Sequence, residues 1–192
     1  MSMLIAGLVI FLGLHSVRIV ADSRRTNLIT TLGENKWKAL YSALSIVGFG
    51  LIVFGYGQSR LDPTVLWHPP IWTRHLAALL TLPAFILLAA AYIPKNAIKA
   101  RLGHPMLLGT KLWATAHLLA NGNLADVLLF GGFLLWAALC FRAAKKRDRA
   151  SGVRYVSAGA VPTITAVVAG VLGWAAFAFY LHTVLIGVKP FV

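Results

Sequence analysis

Apolar residues along this chain come in long runs, without the alternation of a half-buried strand or the narrow stripe of a soluble surface helix. Six runs stand out: Leu4 to Val20, Ala39 to Tyr56, Trp72 to Ile93, Met106 to Leu119, Leu124 to Phe141 and Val161 to Ile186. A helix needs roughly 17 to 25 apolar residues to cross a bilayer, and the fourth run falls short of that. Pro162 stands at the start of the sixth run, where a first helical turn tolerates proline. Only Ala120 to Asn123 separates the fourth run from the fifth, and Asn121-Gly122-Asn123 favours a tight reversal because Asn and Gly accept positive φ. The pattern predicts an all-α, polytopic membrane helix bundle with about six transmembrane helices, the short fourth forming a tight hairpin with the fifth. No internal repeat or low-complexity tract divides the chain, which reads as one integral membrane domain over residues 1–192.

The polar gaps carry the orientation. Arg24, Arg25, Lys36 and Lys38 fall between runs one and two, and Lys95, Lys99 and Arg101 between three and four. Arg142, Lys145, Lys146, Arg147, Arg149 and Arg154 fall between five and six, whereas the other two gaps hold only Arg60. Basic loops stay on the cytoplasmic side, so both termini are expected on the periplasmic face of a bacterial cytoplasmic membrane. MSMLIAGLVIFLGL lacks a basic start and a small-residue cleavage site, so it reads as a retained first helix.

Composition supports the membrane reading and removes others. Of 192 residues, 59% are hydrophobic, and the formal net charge of +13 comes from 18 basic against 5 acidic side chains. That excess sits in short loops between apolar runs, which makes it topology information and argues against a nucleic-acid partner. A single cysteine, Cys140, rules out an internal disulfide and a cysteine-rich metal site. No nucleophile elbow and no glycine-rich nucleotide motif is present. Trp37, Tyr56, Trp67, Trp72 and Tyr92 lie near run ends, as interfacial aromatic belts do, and glycines 48, 50, 55, 57, 131, 132, 170 and 173 suit close helix packing.

The chemistry concentrates between His104 and Asp126. Ionisable groups at membrane depth are costly and usually face a protein interior, a water cavity or a ligand. In a helix, Met106, Thr110, Trp113 and His117 share one face, with Lys111 about a third of a turn away. His104, before Pro105, orders the turn that starts this helix; Asn121 and Asn123 satisfy free helix-end groups at its other end; Asp126 is the lone acid near the turn. His15 lies in the first run, above the pair Arg18 and Asp22. His15 and His117 are each read either as hydrogen-bonded interior histidines or as metal ligands. His68, His75 and His182 read as interfacial, with His75 an alternative to match the depth of His117. Two membrane-embedded histidines on different helices are the minimum for haem ligation, and without a C-x-x-C-H motif any haem is non-covalent haem b.

The stretch HPMLLGTKLWATAHLLANGNLADVLLFGGFLLWA, together with GLHSVR in the first run, resembles the NnrU family of bacterial membrane proteins over essentially the whole chain. The resemblance implies an association with nitrite and nitric oxide reduction in denitrifying bacteria. That family is similar to the 15-cis-zeta-carotene isomerases, membrane enzymes with haem b. Their ligand histidines lie in a first-helix His-Ser motif and in an Ala-His motif downstream of His-Pro. These match His15 in His15-Ser16 and His117 in Ala116-His117. The isomerase cysteine three residues before the second histidine, proposed to take part in ligand exchange, is replaced here by Ala114. A weaker similarity, to the His-Pro motif of isoprenylcysteine-type methyltransferases, reaches only His104, Pro105 and Gly109 and lacks that motif's arginine and tyrosine.

The expectation is an NnrU-type membrane protein supporting nitrite and nitric oxide reduction that binds haem b through His15 and His117. The alternatives are a haem-dependent polyene isomerase, with Trp113, Phe130 and Trp136 lining an apolar cavity, and a non-enzymatic assembly factor. In the latter, Lys111 and the basic loops contact a membrane reductase subunit.

Overall fold

Lipid offers no hydrogen bonds to a backbone, so a chain this apolar must satisfy its amides within helices. The computed structural model describes residues 1–191 and does so almost throughout. In order, the helices are α1 (Ser2–Val20), α2 (Asp22–Leu32), α3 (Glu34–Ser59), α4 (Trp72–Tyr92), α5 (Ala97–Leu102), α6 (Pro105–Ala120), α7 (Leu124–Ser151) and α8 (Ala160–Ala176). A π-helical turn (Phe177–Leu181) leads from α8 into α9 (His182–Ile186). Among the described residues the only β-type pairing is an isolated antiparallel bridge between Val65 and Asn123.

Five helical stretches are long and apolar enough to cross a membrane: α1, α3, α4, α7 and the continuous run from Ala160 to Ile186. The fourth apolar run is helical as expected but does not join them. Its helix α6 has 16 residues, about 24 Å of rise against a hydrocarbon core of about 30 Å. Three of the gaps read as loops contain helix, α5 in the one between the third and fourth runs. α2 fills much of the first, entered through the non-helical Ala21 (φ −147°, ψ 43°) and left through Gly33 at φ 84°. α7 runs past Phe141 to Ser151, so most of the third basic cluster is helical.

The chain divides into two compact units. The first comprises Met1–Trp67 with Asn123–Trp136, the second His68–Gly122 with Ala137–Val192, and α7 contributes a part to each.

In the first unit α1 lies against α3. The contact rests on bare backbone: a Cβ on Gly7 would stand 2.6 Å from the Ile52 amide nitrogen, one on Gly48 3.0 Å from that of Phe11, and one on Gly55 would collide with the backbone at Leu4. With lipid as apolar as the helices, such close approach supplies the dispersion contacts that hold them together. Of the glycines expected to pack, Gly50, Gly57 and Gly131 meet nothing within 4 Å. Gly7, which the pattern did not single out, does pack.

In the second unit α4 is the central helix, with α6 and α8 against it. Gly109 of α6 rests on the Ala84 carbonyl, and Gly170 of α8 leaves no room for a side chain beside Ile86. Pro83 stands inside α4 and removes one amide from its ladder. In the turn before it, Trp174 of α8 donates its indole N–H to the Ala78 carbonyl (3.2 Å) and Thr81 Oγ1 (3.1 Å). At the other end of α4, fully buried Asn96 donates to the Ala90 and Ile93 carbonyls and caps α5 by accepting from Lys99 N–H.

Candidate functional site

In the first unit, His15 sits near the C-terminal end of α1. Its Nδ1 lies 2.7 Å from the Phe11 carbonyl one turn back. A carbonyl only accepts, so Nδ1 must carry the proton, and the lone pair of the neutral ring falls on Nε2. This is the arrangement of a metal-ligating histidine, in which one ring nitrogen donates to a fixed acceptor and the other faces the metal. The ring stacks on Phe11 (centroids 4.2 Å apart) and meets Tyr41 and Trp136 edge-on at 5.3 and 6.1 Å. Trp136 matters for a second reason. Its indole Nε1 is, among the described residues, the one buried side-chain polar atom without a hydrogen-bond partner. Buried polar groups are nearly always paired, so this orphaned donor sets the surroundings of His15 apart.

In the second unit, α6 carries Lys111, Trp113 and His117 together, as the helical spacing required. His117 repeats the tautomer of His15: Nδ1 lies 2.8 Å from the Trp113 carbonyl, which puts the lone pair on Nε2. The Trp113 ring stands 5.1 Å from it. The structure adds a neighbour that the sequence reading assigned to the interface. The ring of His182 lies 6.5 Å from that of His117 at an interplanar angle of 25°. His182 also places Nδ1 against a carbonyl, that of Val188, at 2.7 Å. It follows directly on the π turn, a distortion that is frequent at functional sites. Only that register shift, which leaves no trace in the apolar pattern, would have exposed the pairing. His75, the alternative ligand, is exposed in the first turn of α4, and His68 is exposed in the preceding loop.

His104 has the opposite tautomer and a different task. Its Nε2 lies 2.8 Å from Asp148 Oδ2 near the end of α7, and since a carboxylate accepts, Nε2 holds the proton. The Tyr155 hydroxyl donates to the other carboxylate oxygen at 3.3 Å. Burial, followed by the Asp148 charge and that hydrogen bond, pushes the Tyr155 hydroxyl above the usual tyrosine range. At Gly103 the φ of 77° disfavours a side chain, and a Cβ there would stand 3.2 Å from the Tyr155 ring and 3.6 Å from both Asp148 Oδ2 and the Lys145 ammonium. So His104 does order the start of α6, but through Asp148, 44 residues away. Asp148, flanked by basic residues in KKRDRA, carried no signal of its own. Lys111 lies 4.4 Å over the Phe141 ring, a cation–π contact that accounts for its half-buried ammonium.

Asn121, Asn123 and Asp126 are structural. Asn121 Nδ2 caps the end of α6 by donating to the His117 carbonyl (2.8 Å). In the first unit Asp126, 2% exposed, accepts from the backbone and side chain of Asn123 (3.0 and 2.9 Å) and from the Tyr56 hydroxyl of α3 (2.6 Å). The segment between α3 and α4 is stitched to the same place by Leu124 N–H donating to the Thr64 carbonyl. Among the described residues no group of three His, Cys, Asp or Glu side chains is arranged to hold a metal ion. Ala114, at the isomerase cysteine's position, is fully buried.

The NnrU protein family model matches residues 3–190. The chain belongs to the NnrU family. That membership supports a denitrification-associated membrane protein in general terms, and the five long apolar helices agree with the membrane part of it. No curated protein and no solved structure matches the chain.

Proposed function

We propose that this NnrU family member is a bacterial inner-membrane protein that supports nitrite and nitric oxide reduction and holds haem b through His15 and His117. The observation that carries the reading is the shared tautomer. Each imidazole donates its Nδ1 proton to a carbonyl one turn back on its own helix, at 2.7 and 2.8 Å, which fixes the ring and leaves Nε2 as the basic nitrogen. Haem held in this way supplies one-electron exchange, with a potential set by its axial ligands and their hydrogen bonds. Phe11 and Trp113 pack beside the two rings and help fix their orientation. His182, near-parallel to His117, is the second-unit imidazole to test beside these two.

The test is a visible spectrum of the protein purified in detergent from haem-replete cells. The expected result is a Soret band, with its position or intensity changed in His15→Ala and His117→Ala and bis-histidine character lost in each. A band insensitive to both variants but abolished by His182→Ala would reassign the ligands, and no Soret band at all would remove haem from the account. A membrane reductase subunit is the partner this function calls for, and its copurification with the tagged protein is the corresponding check.

The proposed topology has six crossings with both termini periplasmic. His104 at the start of α6 contacts Asp148 near the end of α7, so these ends share a side, and the turn joining the two helices lies at their other ends. With the basic ends inside, this shared side is what a crossing by α6, despite its 16 residues, would give.

A further inference from the structure

The first unit contains a pocket of ≈ 320 Å³ where α1 ends, α2 turns away and α3 begins. Its wall includes His15 and Arg18 from α1, Arg25 from α2, and Trp37, Lys38 and Tyr41 from α3; no carboxylate lines it. Three cations therefore converge on one small concavity. Asp22 and Glu34 reach two of them from outside, at 3.4 Å on Arg25 and 2.7 Å on Lys38. Both pairs are solvent-exposed, and exposed pairs contribute little and exchange readily. Arg18 has no carboxylate partner among the described residues. Three cations with two exposed carboxylates leave a net positive charge at the pocket, which an anion bound there offsets.

The surroundings narrow the class of anion. Trp37 and Tyr41 are the residue types that sit at headgroup level. Val20 of α1 and Leu40, Leu44 and Val47 of α3 expose apolar surface, at 78, 48, 41 and 54%. A ligand with a phosphate head and an acyl tail satisfies both the charge and the apolar flank. Basic pockets between helices on the cytoplasmic side are where such headgroups bind. We infer that the Arg18–Arg25–Lys38 pocket binds a phosphate group, expected to be the headgroup of an anionic phospholipid. This inference does not rest on haem binding, and its test leaves His15 in place.

The test is a titration of the purified full-length protein in a neutral detergent, followed by native mass spectrometry. The probes are short-chain phosphatidylglycerol, short-chain phosphatidylcholine and inorganic phosphate. Phosphatidylglycerol should bind in preference to phosphatidylcholine. An Arg18→Gln/Arg25→Gln double variant should weaken binding by roughly tenfold to thirtyfold. Ser42→Asp, which sets a carboxylate in the wall at an exposed position, should do the same without removing any existing contact. Lys146→Gln/Arg149→Gln, exposed positions of α7 in the second unit, should leave binding unchanged. Inorganic phosphate competing as well as the lipid would assign the same pocket to a soluble phosphate ligand. Equal binding of both lipids, or equal losses in the pocket variants and the second-unit variant, would overturn the inference.

Discussion

A single proton decides which histidine does what. His15, His117 and His182 donate from Nδ1 to carbonyls, while His104 donates from Nε2 to Asp148, so three imidazoles present Nε2 as a base and one does not. The prediction at this scale concerns the fourth. The His104–Asp148 bond is about four-fifths buried on both sides, and a hydrogen bond to a charged partner contributes about 1.5–3 kcal/mol. His104→Ala and Asp148→Asn should each lower stability in detergent by that order. The double variant should cost less than their sum, and thermal unfolding of the four proteins measures the coupling. Strict additivity would show the contact to be incidental. None of the haem-sensitive absorbance should move in these variants. The residue types at His15, His117 and Lys111 were legible in the sequence because ionisable groups inside apolar runs stand out. Asp148 and Tyr155 were not, since a polar residue in a polar segment carries no contrast.

Among the helices, packing is set by where backbones touch. The apolar runs announce α1, α3, α4 and α7 because a bilayer demands about 20 such residues whatever their neighbours. They do not announce α2 or α5, whose composition is that of a loop. Nor do they separate a glycine that meets a neighbouring helix from one that faces lipid. Gly170 and Gly57 make the contrast testable. Gly170→Leu would force α8 away from Ile86 of α4 and should destabilise the second unit by about 1–3 kcal/mol. Gly57→Ala, with nothing within 4 Å, should be neutral or up to about 1 kcal/mol stabilising, because alanine is the better helix former. Equal effects of the two in a detergent unfolding assay would contradict the packing described for α4 and α8.

At the scale of the whole molecule, the open question is the number of crossings, since five long apolar helices and one of 16 residues permit either parity. Six crossings place the C-terminus in the periplasm, so a C-terminal alkaline phosphatase fusion should be active and a C-terminal green fluorescent protein fusion dark. The reverse pattern would mean either that α6 does not traverse the membrane or that the bundle is inverted, and in both cases the basic ends of α6 and α7 are not both cytoplasmic. Headgroup binding in the first-unit pocket is independent of that parity, because the α1–α3 junction lies at the ends of two candidate spans whether or not α6 crosses.

The sequence by itself determined that this chain is helical, apolar in membrane-length runs, marked by the NnrU motifs and basic in the segments between those runs. These are properties of uninterrupted runs and local charge, and neither depends on what a residue touches. Only the tertiary structure decided that His182 lies beside His117, that His104 answers to Asp148, and that Arg18, Arg25 and Lys38 close on one pocket. Each pairing joins separate helices, or helices on either side of a break. Its partners are chosen by helix rotation, the π turn and the bend at Ala21, which an apolar pattern leaves free.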